Sequence, residues 1–248
     1  MSSSTSAPTQ AKAAPQPSSG RRPGGLRRLL RENGLSLVLF ALFLTSLLGQ
    51  FLAGLAACNE ERAAHGLAAL AAADYLRGGE FLSSVFENWE SEFLQMAAYV
   101  LLTVFLRQKG SPESKPIEGA EEVDADPAAA SARPDPAAPW PVRAGSPALL
   151  WLYSNSLGLA LGALFLASFA LHWVHSARHA AELAAMHGRP APTLLEHLAG
   201  AELWFESLQN CQSEFLSTFA LVVLGIFLRQ RGSPESKPVA APHASTGH

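Results

Sequence analysis

The chain has 248 residues, with 18 Lys and Arg against 21 Asp and Glu, and its formal net charge of −3 excludes the broad basic surface that nucleic acid requires. Its 2 cysteines are too few for a disulfide framework or a zinc ribbon. Hydrophobic residues make up 48% and charged residues 16%; since residues 1–25 and 117–147 are polar and Pro-rich, strongly apolar runs must lie elsewhere.

Residues 1–32 read as a disordered, basic cytoplasmic tail that cannot bury enough apolar surface to fold. Gly34 to Ala57 then runs 24 residues without a charge. A bilayer core needs roughly 20 helical residues, so a first membrane span is expected over 34–57. Leu55-Ala-Ala-Cys58 also matches the pattern at which lipoprotein signal peptides are cut, but the apolar run is long for such a leader. Short amphipathic helices are expected at 69–76 and 80–89, ahead of a second span over 89–106. In Glu87-Asn-Trp-Glu-Ser-Glu92, Asn88 reads as an N-cap with Ser91 at its third helical position, and Trp89 reads as an interfacial anchor. At the far end of that span Arg107 and Lys109 suit anionic headgroups, and the Gly and Pro that follow stop the helix.

Residues 117–148 are expected to be a disordered linker. A third span is expected over 157–174, where Gly158 and Gly162 form a GxxxG pattern that lets another helix approach, from a different membrane protein or a second copy. His172, His175 and His179 share one helix face at spacings of three and four. With His187 and His197 they are candidate metal ligands. The fourth span is expected over 211–228, with Asn210 and Ser213 as cap residues, Arg229 and Arg231 as anchors, and a tail over 239–248. Cys58 and Cys211 fall on one expected side of the membrane and are a candidate disulfide.

These elements repeat. A shift of 122 positions lays Asn33-Gly-Leu-Ser-Leu37 on Asn155-Ser-Leu-Gly-Leu159, His65-Gly66 on His187-Gly188, Ser91-Glu-Phe-Leu94 on Ser213-Glu-Phe-Leu216, and FLRQKGSPESKP (105–116) on FLRQRGSPESKP (227–238), without a gap. The expected fold is therefore an all-α integral membrane protein, with four transmembrane helices arranged as two tandem parallel helical hairpins, residues 33–116 and 149–238. Fourteen Lys and Arg fall in the tails and linker and four in the other two loops. This bias places both termini in the cytoplasm, with the hairpin loops outside.

The phrases Asn33-Gly-Leu-Ser, Glu87-Asn-Trp-Glu-Ser-Glu-Phe-Leu-Gln95 and Phe227-Leu-Arg-Gln-Arg-Gly-Ser-Pro-Glu-Ser-Lys-Pro238 resemble a family of bacterial multi-pass membrane proteins catalogued as a domain of unknown function. The resemblance covers Asn33 to Pro238 and departs at Cys211, the counterpart of Trp89. It implies a location in the bacterial inner membrane and transfers no catalytic residue.

No Walker loop, nucleophile elbow or HExxH motif occurs, so no cofactor or reaction is named. The leading expectation is a structural or interaction module whose partners are the lipid bilayer and other membrane proteins. The alternatives are a small cation or proton transporter using Glu92 and Glu214, with Glu90 beside them, and a metal-binding membrane protein using the histidine face.

Overall fold

The computed structural model describes residues 25–247, and among them every regular element is a helix, with no strand. Lys12, Arg21 and Arg22 of the basic tail lie outside the described residues. The chain divides into two compact units, residues 1–53 and 54–248.

The first unit holds most of α1 (Gly25–Ala64), which begins at Gly25 and so makes residues 25–32 helical rather than part of a disordered tail. The start is supported by Arg28, whose Nε donates to Glu32 Oε1 one turn on at 2.8 Å. Asn33 breaks the helix with φ −129° and ψ 17°, its amide donating to the Leu29 carbonyl at 3.4 Å. A short polar side chain competing for backbone acceptors is a common cause of such a break. Beyond it the apolar run stays uncovered, with Leu35 76%, Phe40 59% and Leu48 57% exposed. Such surface is unstable against water and suits hydrocarbon.

In the second unit the main elements are α2 (Ala72–Tyr75), α3 (Gly79–Phe105), α7 (Ser156–Met186), α8 (Leu194–Ala199) and α9 (Ala201–Phe227). The most extensive packing is between α3 and α7. The two run antiparallel: Gly79 N–H faces Glu182 Oε1 at 3.4 Å at one end, and Gly158 faces the Leu101 side chain at the other. Phe81, Val85 and Ala97 of α3 and Leu161, Ser168, His172 and Ala177 of α7 are buried. The small residues among them let the helices close up. By contrast α9 runs parallel to α3, joined by Asn210 Nδ2 donating to Glu87 Oε1 at 2.5 Å and Gln95 Nε2 donating to Thr218 Oγ1 at 2.5 Å.

Among the described residues three helices are long and apolar enough to cross a membrane: Arg28–Ala64, Ser156–Met186 and Ala201–Phe227. α3 falls outside this set because Glu80, Glu87, Glu90 and Glu92 occupy its first half, leaving an apolar end too short to span alone.

The segment expected to be a disordered linker instead contains a 3₁₀ turn (Glu122–Asp124) and the short helices α4 (Pro127–Ala132) and α5 (Trp140–Arg143), and α6 (Pro147–Ser154) begins at its end. Local chemistry starts each of the three helices: Asp126 caps α4, accepting from the Ala128 N–H at 2.9 Å, and Pro occupies the first turn of all three. α6 ends at Asn155, φ −110° and ψ 6°, whose amide donates to the Trp151 carbonyl at 2.8 Å. It is the same break, made by the same residue type, as at Asn33.

Candidate functional site

His172 lies on the buried face of α7 and is fully shielded from solvent. Its Nδ1 is 2.7 Å from Glu90 Oε2 of α3, and its Nε2 is 3.2 Å from Glu206 Oε2 of α9. The helical period sets this up locally. Glu87 and Glu90 are three residues apart on one face of α3, and His172 and Ser176 are four apart on α7. Ser176 Oγ donates to Glu206 Oε2 at 3.0 Å and meets Nε2 of His197, from α8, at 2.8 Å. Glu87 completes the cluster, with ligand atoms of Glu87, His172 and Glu206 all within 4.8 Å of one another.

Glu90 is 3% exposed, so the cluster is a true interior polar network drawn from four helices. Three carboxylates face one central imidazole. Ionised together, they exceed the charge that one imidazolium can neutralise, and uncompensated charge is expensive to hold in a low-dielectric interior. A cation is the chemical complement of this arrangement.

Of the other expected histidine ligands, His197 enters the network through Ser176, while His175, His179 and His187 go elsewhere. The His175 ring stacks on Phe86 with centroids 5.9 Å apart, its Nδ1 buried without a hydrogen-bond partner. His179 lines a separate cleft of about 520 Å³ with Cys58, Tyr75, Glu80 and Glu182. Outside the spans, burial and the neighbouring Glu80 push the Tyr75 phenol up to about 12. His187 meets His65 edge to face at 5.8 Å. Shared spacing put these histidines on one helix stripe, but the stripe meets different neighbours along its length.

Glu92 and Glu214 do come together, their carboxyls within hydrogen-bonding reach across α3 and α9. Glu92 is exposed and Glu214 half-buried, so this pair sits on the surface of the bundle while Glu90 points inward. Asn88, Ser91, Asn210 and Ser213 do not cap helices. The N-caps of α3 and α9 are Gly78 and Gly200, because both helices continue well beyond their apolar runs. Asn88 instead donates to the Ser84 carbonyl at 2.6 Å. Ser91 and Ser213 donate to the carbonyls of Asn88 and Asn210 at 3.0 and 2.8 Å.

Trp89 packs edge to face on Phe86 at 5.5 Å. Arg107 and Arg229 turn back onto the last carbonyls of their own helices, while Lys109 and Arg231 are exposed. Gly158 is filled by Leu101 of the same chain, and Gly162 has open space beside it. Cys58 and Cys211 are both free thiols, so the candidate disulfide is not formed.

Glu206, Ser176 and the place of Glu87 in the cluster were not apparent from the sequence. The only local signals were the Glu87/Glu90 and His172/Ser176 spacings, which are common on solvated faces. Residues 26–248 match the family model described as "Domain of unknown function (DUF6766)". No curated protein and no solved structure matches the chain.

Proposed function

This chain belongs to the DUF6766 family, whose function is unknown, and from its buried cluster we propose that it is a multi-pass membrane protein that binds a cation at Glu87, Glu90, His172 and Glu206. One observation carries the reading: a fully buried imidazole held between carboxylates from two other helices, with a third carboxylate beside them. Buried charges are costly unless they are paired or hold a metal ion.

The company α3 keeps supports four spans rather than three. It lies alongside α7 from Gly79 to Leu101, so a crossing by α7 carries α3 with it. The tandem-hairpin organisation draws support from matching bounds, α3 at 79–105 and α9 at 201–227, and from the paired breaks at Asn33 and Asn155. It also draws support from contacts between equivalent residues, His65 with His187 and Glu92 with Glu214. With both termini cytoplasmic in a bacterial inner membrane, the cluster faces the outer side, where the three long helices outrun their apolar stretches.

The second reading is a structural or interaction module in which the cluster only pins helix register. The two separate in a thermal melt of the detergent-solubilised chain after chelation, with Na⁺, K⁺, Mg²⁺, Ca²⁺ or Zn²⁺ added back. Cation binding predicts that at least one raises the midpoint of the wild type and not of Glu206→Gln. No shift with any cation would leave the pinning reading.

A further inference from the structure

Resting on that reading, we propose that the site takes a divalent first-row transition metal, with His172 Nε2 and the carboxylates of Glu206 and Glu87 as ligands and Glu90 as the residue that orients the imidazole.

The geometry assigns the two ring nitrogens different tasks. Nδ1 is 2.7 Å from Glu90 Oε2, and both residues are buried. A carboxylate on the far nitrogen of a ligating histidine fixes the ring and raises its basicity, the usual outer-shell partner of a metal-bound imidazole. Nε2 points the other way, 3.2 Å from Glu206 Oε2. Metal–nitrogen and metal–oxygen bonds of about 2.0–2.2 Å set neighbouring ligands of a tetrahedral centre about 3.3 Å apart. The Nε2–Oε2 spacing is therefore already that of two ligands on one ion.

The remaining ligands are braced as well. Glu206 Oε2 accepts from Ser176 Oγ at 3.0 Å, and Ser176 is in turn held by His197 at 2.8 Å. Glu87 Oε1 accepts from Asn210 Nδ2 at 2.5 Å, leaving its other oxygen for the metal. Oxygen brought to an ion by pre-oriented second partners is how protein metal sites are built. The one-imidazole, two-carboxylate donor set suits Zn²⁺, Mn²⁺, Fe²⁺ or Co²⁺. It lacks the thiolates that select soft ions and has a nitrogen where Ca²⁺ and Mg²⁺ prefer oxygen. Three protein ligands leave a fourth position open. The Glu206 side chain, 27% exposed, gives the ion a route in from solvent.

The test uses the full-length chain in mild detergent, stripped with chelator and dialysed against Zn²⁺ or Co²⁺. Elemental analysis is expected to find one metal per chain, and Co²⁺ to show the visible bands of four- or five-coordinate cobalt. His172→Gln and Glu206→Gln should abolish both signals. Glu90→Gln should keep the stoichiometry and the bands but weaken affinity about 10- to 100-fold, and Glu92→Gln should change nothing. Wild-type protein that retains no divalent metal overturns the proposal, as does one-to-one binding that survives both ligand substitutions. If a monovalent ion or Ca²⁺ shifts the melt while Zn²⁺ and Co²⁺ do not bind, the metal assignment falls and the cation reading stands. If no cation binds at all, both fall.

Discussion

Lys115 and Lys237 hold the same position in two nearly identical loops and meet opposite surroundings. The Lys115 ammonium lies 2.5 Å from Asp124 Oδ1 near the surface. That bond holds the Asp124 carboxyl below the usual carboxylate range. Lys237, 1% exposed, donates instead to the carbonyls of Gly110, Pro242, His243 and Ser245 at 2.5, 3.4, 3.0 and 3.1 Å. One of these acceptors belongs to the first loop, so the second loop's lysine ties the two together. An unsatisfied buried acceptor costs about 1–3 kcal/mol, so Lys237→Met should lower stability by at least that much in a detergent melt. Lys115→Met removes a near-surface pair, screened by solvent, and should cost clearly less. Equal losses would show that the carbonyl cage is not what distinguishes the two lysines.

At the scale of elements, the α3–α7 seam depends on Gly79. A Cβ there would lie 2.5 Å from the His179 amide nitrogen and 2.9 Å from the His175 carbonyl, both backbone atoms that cannot swing aside. Gly79→Ala should therefore prise the helices apart, costing about 1–3 kcal/mol and weakening cation binding through the displaced Glu90. Gly162→Ala, which meets open space, is the matched control and should leave both readouts unchanged. The short helix α8, which delivers His197, starts with a capping box. The Thr193 N–H donates to Glu196 Oε2 at 2.8 Å and the Glu196 N–H to Thr193 Oγ1 at 3.3 Å. The Thr193 backbone N–H first, and the Thr193 hydroxyl after it, hold the Glu196 carboxyl below its ordinary range. The stabilisation is thus complete above the ordinary carboxylate range and lost as pH falls through the lowered value. Amide exchange in α8 should quicken over that interval; Thr193→Ala, which loses the hydroxyl but keeps the backbone donor, should exchange faster yet retain the pH dependence, and Glu196→Gln should lose it.

For the whole molecule the decisive quantity is the number of crossings. With the N-terminus cytoplasmic, four spans put the loop after Lys115 inside, whereas three spans without α3 put it outside. A reporter fused after Lys115 should be active only as a cytoplasmic fusion, as should one after Lys237. A periplasmic signal at Lys115 would remove α3 from the membrane. The apolar runs and the membrane-compatible all-helical class were legible in the sequence, whereas the helices end at Phe105 and Phe227, ahead of the Gly110 and Gly232 expected to stop them. Both legible features depend on hydropathy summed along a run of chain, while the breaks at Asn33 and Asn155, where an amide competes for a backbone carbonyl, were not read from it. The metal-like cluster was not legible in this way. Glu90 and Glu206 stand 82 and 34 residues from His172, and their meeting depends on which helix faces lie against one another, a matter of packing between elements and not of any local pattern. The same packing decided that Asn88 and Asn210 fall inside helices, since neighbouring helices stabilise the polar turns that a lone helix would leave to water.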